Sequence, residues 1–253
     1  MISVVRARMR RRLLVTYRVD PDIAAQIVPA PFRPQLVRGS AVGGLCLIRL
    51  EALRPGWLAP EVGASSEAVA HRFAVEWDEG NVTRHGVYVS HRHSSSAIAG
   101  LAGGRVFPGI QQHARIHTEE SATRSRVRVQ AGAYSAQADI EDADDWASEL
   151  FDTPQQASDF YRAGVVGWSP RRGGGVDAVS LATEGWAVRP GRVHAISSAF
   201  FDGLPAGSAR FDSALVMRDL VVTWRHERAA GRTLAQSGEP HRSHRFTGVA
   251  PAP

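Results

Sequence analysis

The chain has 253 residues, 43% of them hydrophobic and 22% charged, with a net charge of +5, enough for one large globular unit. All thirty basic residues are arginine, so no side chain offers the neutral primary amine that forms a Schiff base with a ketone. The single cysteine, Cys46, excludes an internal disulfide framework and a Cys-rich zinc site.

In chain order, residues 10–19 ("RRRLLVTYRV") read as a strand. Asp20 then caps a short helix with Pro21 at its first position and Ile23, Ile27 and Val28 on one face, stopped by Pro29 and Pro31. Two strand-like pieces follow between Gln35 and Leu53. The apolar neighbours of Cys46 in the second point to a buried, unreactive thiol. In "EAVAHRFAVEW", Val69, His71, Phe73, Val75 and Trp77 alternate onto one face, and "DEGN" turns the chain into a second arm. Strict alternation along that arm puts His85, Val87, Val89, His91 and His93 on one side and Arg84, Tyr88 and Arg92 on the other.

Ser94 to Ser96 are positioned to cap a helix through Ala97, Ile98 and Leu101. Residues 110–118, 123–130 and 133–140 read as further strands. In "TRSRVRVQ", Arg124, Arg126 and Arg128 alternate with Ser125, Val127 and Val129 as on a sheet with one solvated face, rather than as a nucleic-acid stripe. Thr153-Pro154-Gln155-Gln156 opens a helix bearing Ala157, Phe160 and Tyr161 and closed by Gly164. Segments 176–183, 186–196 and 214–226 again look extended. From residue 229 to 253 the composition is that of a flexible tail, which leaves residues 1–228 as one domain. Many short strands with a few short helices give a mainly β (α+β) fold.

The stretch "YRVDPDIAAQIVPAPFRP" resembles the early segment of the acetoacetate decarboxylase-like superfamily, carried by Tyr17, Arg18, Asp20, Val28, Pro29 and Pro31. The hairpin "AHRFAVEWDEGNVTRHGVYVSHRHSSSAIAGLAGG" is similar to the DUF2071 branch of that superfamily. The resemblance implies a cone-shaped, antiparallel β-barrel around a small-molecule pocket. The decarboxylases carry a Tyr-Pro-Lys-Lys-like motif whose first lysine forms the Schiff base. Here Phe107-Pro108 is followed by Gly109 and Ile110, so amine-dependent decarboxylation is not expected. By register, the family's substrate-carboxylate arginine falls on Arg10 and an active-site glutamate near Glu67.

Ten histidines are the main reactive inventory left. His91 and His93 point one way along a strand, as do His113 and His117, and His71 shares the face of Val69 and Phe73. If those faces are interior, three strands bring imidazoles into one cavity, suited to general acid–base work near neutral pH. We assign proton transfer to His91, His93, Glu67 and His113, and substrate binding to Arg10, His71, Arg72, Tyr88 and His117.

The histidine spacing is not a specific metal pattern, and no metal or cofactor is assigned. There is no Gly-x-Ser-x-Gly elbow and no phosphate loop. Asp142, Asp144 and Asp145 read as a solvated loop.

The expected partner is a small keto or carboxylate compound, with no nucleic acid and no membrane, and a homo-oligomer is left open. With no apolar run of about eighteen residues and no signal-peptide pattern, a cytoplasmic location is expected. Two readings stand: a lyase, isomerase or cyclase using His and Glu with arginine as anion holder, or a non-catalytic carrier or sensor with the same pocket.

Overall fold

A computed structural model describes residues 4–59, 63–96, 110–171 and 173–227. The helix expected after Ser96, the Phe107-Pro108-Gly109 stretch and the tail from 229 all lie outside the described residues.

The fold is mainly β. The first strand, β1 (Val4–Val19), runs into α1 (Pro21–Ile27). Asp20 caps that helix by accepting from the backbone N–H groups of Asp22 and Ile23, satisfying donors that the first turn leaves without partners. Two short strands, β2 (Arg33–Pro34) and β3 (Leu36–Val37), precede three long ones, β4 (Ser40–Pro55), β5 (Ala64–Glu79) and β6 (Val82–Ser94). Gly80, at φ +61°, sits in the β5–β6 turn where an L side chain is disfavoured.

Residues 110–118 form two strands rather than one. The first, β7 (Gln111–His113), pairs in parallel with β6. Past the buried Ala114, β8 (Arg115–Glu120) pairs antiparallel with β9 (Arg124–Gln130). A tight helical turn over Gly132–Tyr134 leads into β10 (Ala136–Asp142), and α2 (Pro154–Ala163) follows. The Thr153 hydroxyl caps α2 by accepting from Gln156 N–H. The rest is β11 (Val166–Pro170), β12 (Val176–Glu184), β13 (Arg189–Ser198), the one-turn α3 (Ala199–Asp202) and β14 (Ala209–Glu227).

The strand order is β1-β4-β5-β6-β11-β12-β14, and β14 pairs back onto β1, so seven strands form a ring. Neighbours in the ring are antiparallel except β6 and β11. From β14 the sheet continues as a wing, β13-β10-β9-β8.

Two apolar clusters result. One joins the outward face of the ring to the wing: Leu13, Leu45 and Phe73 pack with Val127, Ala138 and Ile140. The other lies inside the ring, where Leu14, Leu215 and Met217 meet Ala157 and Tyr161 of α2. The wing strand β9 buries Ser125, Val127 and Val129 as its alternation predicts. Its arginines are ion-paired: Arg124 and Arg126 both reach Asp139.

Candidate functional site: an arginine-lined ring cavity

Face assignment along β5 and β6 decides what enters the ring. On β5, Val69, His71, Phe73 and Val75 face the wing. Alternation then sends Ala68, Ala70 and Arg72 inward, and all three line a cavity within the ring. Opposite them on β6, His71 pairs with His91 but Arg72 pairs with Val89, so Ser90 is an extra residue.

This bulge changes the phase of the strand. Before it, Tyr88 pairs with Phe73 and faces the wing, while Val87 and Val89 line the cavity. After it, His91 and His93 face the wing side and Arg92 lines the cavity. Strict alternation had grouped the histidines with Val87 and Val89 and set Tyr88 beside Arg92; both groupings are corrected by the bulge.

The cavity has a volume of about 150 Å³, the size that admits a benzene-sized guest. Its walls are largely apolar: Ile48 and Leu50 of β4, Val87 and Val89 of β6, Val179 and Leu181 of β12. Into this surface project Arg12, Arg72 and Arg92, and no Asp or Glu lines it among the described residues.

Arg12 and Arg72 are each 7% exposed. Arg12 Nε and Nη1 and Arg72 Nη2 have no hydrogen-bond partner among the described residues. The two guanidiniums also rest on aromatic faces, Arg72 4.6 Å from the Tyr161 ring and Arg12 5.5 Å from the Trp186 ring. Tyr161 is itself fixed by a 2.6 Å hydrogen bond with Thr16. Burial pulls Arg72 below the usual arginine range, and it pulls the partly buried Arg92 down to about 10, with Cys46 opposing both shifts. Cys46 lines the cavity and is only partly buried, unlike the sealed thiol its sequence neighbours suggest.

The histidines gather on the opposite face of the same strands. His71, fully buried, lies 6.4 Å from His93 between ring centroids. Tyr134 stacks on His91 at 3.9 Å, and Phe200 closes over His71 at 5.2 Å. Neither ring nitrogen of His71 has a partner among the described residues. Burial, reinforced by the neighbouring imidazoles, lowers His71 to about 3 and His91 to about 4, so both rings are neutral near pH 7. His93 is also lowered by burial. It belongs to this cluster yet also lines the cavity, with Nε2 3.0 Å from Gln112 Oε1.

The remaining predicted residues lie elsewhere. Glu67 is ion-paired with the buried Arg11, which also binds Glu120 of β8 at 3.0 Å and so ties ring to wing. Burial raises the Glu67 carboxyl, with Arg11 pulling the other way. Arg10 is on the surface, bonded to Asp219 and 3.6 Å from Glu51. Tyr88 is buried in an aromatic cluster with Phe32. His113 is exposed, and so is His117, which contacts Glu119. The expected single chamber is thus two sites back to back: guanidiniums inside the ring, imidazoles between ring and wing.

Sequence reasoning missed Arg12, Arg92 and Cys46 as cavity residues. The phase of Arg12 with Leu14 was a usable signal, whereas the bulge at Ser90 left none.

Comparison with known proteins agrees with this architecture. A family model described as an uncharacterized conserved protein, DUF2071, matches residues 6–197. The chain belongs to the DUF2071 family. Comparison with curated protein sequences finds no significant match.

Among solved structures, the acetoacetate decarboxylase of Legionella pneumophila superposes with a TM-score of 0.60 at 13% identity, covering 88% of this chain and 86% of that one. The enduracididine biosynthesis enzyme MppR, in its complex with pyruvate, gives 0.56 at 16%, covering 88% of each chain. An acetoacetate decarboxylase-like enzyme from Sphingomonas wittichii RW1 gives 0.56 at 10%, covering 89% of this chain and 91% of that one. The DUF2071 chain therefore has the acetoacetate decarboxylase-like fold. No helix of the described residues is long and apolar enough to cross a membrane.

Proposed function

We propose that this protein binds a small keto acid in the ring cavity and activates it with arginine, in place of the absent amine. The observation that carries the proposal is the set of Arg12 and Arg72 N–H groups that, among the described residues, have no partner inside an apolar cavity lined by no carboxylate. A buried cation without a counter-ion is costly, and a bound carboxylate both neutralises it and fills the donors in the paired geometry guanidinium favours.

A three-carbon keto acid suits the volume, and MppR, of the same fold, has been captured with pyruvate. In the proposed chemistry two guanidiniums hold the carboxylate. A third stabilises the negative charge that develops on the carbonyl oxygen as a proton leaves the adjacent carbon. His93, neutral and at the cavity wall, accepts that proton. The resulting enolate is the branch point for lyase, isomerase or cyclase chemistry, none of which then needs an iminium.

The test is pyruvate in deuterated buffer. Calorimetry should detect binding, and loss of the methyl proton signal should report exchange. Arg72→Met should weaken binding at least about tenfold, the scale of one lost charged contact, while raising the melting temperature because an uncompensated buried charge is gone. Binding without exchange would leave a carrier rather than an enzyme. No binding at millimolar pyruvate would end the proposal.

A further inference from the structure

The keto acid reading uses the three arginines and His93 but leaves one reactive group of the cavity idle. Cys46 lies on the inward face of β4 directly opposite Ala70 of β5, and Ala70 in turn lies opposite Arg92 of β6. Arg72 lies opposite Gly44, which is two residues from Cys46 on the same face. The positions between thiol and guanidiniums thus carry only a methyl group or a hydrogen, so nothing large screens one from the other. The electrostatic coupling of Cys46 with both Arg72 and Arg92 fits that proximity.

With lysine absent from the chain, this thiol is the strongest nucleophile in the cavity. The second observation pointing to a guest is independent of the sulfur: Arg12 and Arg72, each 7% exposed, carry N–H groups that have no partner among the described residues at the same cavity wall.

We propose that Cys46 is a covalent capture site for small anionic electrophiles, specifically α,β-unsaturated carboxylates, which the arginines orient. The proposal rests on the anion-binding reading of the cavity and extends it to bond formation. The sulfur adds to the β-carbon and the carbon–carbon π bond breaks. Its electron pair passes toward the carboxylate held by the guanidiniums, and the thiol proton ends on the α-carbon. Atoms and electrons balance without an oxidant or a second reactant. The thiolate is the attacking form of any thiol, and the guanidiniums neutralise the carboxylate as charge builds on it.

A single thiol makes the test direct by intact mass. The folded protein is treated with two matched pairs, iodoacetate against iodoacetamide and acrylate against acrylamide. A small free thiol reacts faster with the neutral member of each pair. At Cys46 the order should reverse, with the anionic member favoured by about tenfold or more, the scale of one partly screened charge contact. Arg72→Met should abolish the reversal, and Cys46→Ser should give no adduct. The idea fails if the folded protein gives no adduct where the urea-unfolded protein does, or if the neutral reagents keep their advantage. Pyruvate calorimetry on Cys46→Ser separates the two proposals. Retained binding together with a failed reversal removes the covalent step alone, whereas loss of both in the wild-type protein removes the anion site as well.

Discussion

The two faces of the β5–β6 hairpin carry opposite chemistry within one sheet thickness. Inside the ring, Arg12, Arg72 and Arg92 stand as cations in an apolar cavity. Outside, His71 and His91 are held neutral by burial among Tyr134, Phe200 and each other. Similar burial acts on both, yet the outcome differs with the group. Imidazole gives up its proton cheaply, whereas guanidinium keeps its charge and needs a counter-ion, a ring face or a guest. A cationic pocket and a neutral imidazole layer can therefore share strands, meeting at His93.

The largest way to break this partition is to remove the residue that sets it. Deleting Ser90 should force one side of β6 out of phase, driving either Arg92 into the wing core or Tyr88 into the cavity. The expected loss exceeds about 4 kcal/mol, the range of mutations that bury unpaired charge, read as loss of soluble protein or of a cooperative urea transition. Ser90→Gly keeps the extra residue and should fold.

Acid tests the histidine face. The unfolded chain takes up a proton on His71 near pH 6.5, while the folded ring stays neutral down to about 3. Stability is therefore complete above the unfolded value and lost as pH falls through the window between the two. The loss attributable to His71 is about 1.4 kcal/mol per pH unit below 6.5, and His91 adds in the same direction down to about 4. Urea midpoints at pH 7.5, 6.5 and 5.5 should show the slope, and His71→Phe should flatten it. A slope unchanged in that variant would mean the ring is not held neutral.

The smallest effect is expected at Arg10. Its ion pairs with Asp219 and Glu51 are at the surface, so Arg10→Ala should change stability by no more than about 0.5 kcal/mol and leave pyruvate affinity intact. Weakened affinity in this variant would move the anion site away from the ring cavity.

Much of the fold was legible because local rules carried it. Asp20 and Thr153 are side-chain caps whose acceptors can be read from the chain. The alternation of β5 and β9 follows from burying one face of a sheet. The candidate site was legible in kind but not in place. His71, His91 and His93 do converge, yet the carry-over by register to Arg10 was two residues from the inward-facing Arg12. The register of β1 against β4 shifts between Met9 and Arg11, and no local signal marks that irregularity.

By itself, the sequence determined a β-rich chain with helices capped at Asp20 and Thr153 and the absence of any lysine for imine chemistry, because composition and caps depend on near neighbours only. Which side chains share the cavity was decided by tertiary structure. A bulge is stabilised by the strands on either side of it and by the layers it must pack against, and those contacts join residues far apart in the chain.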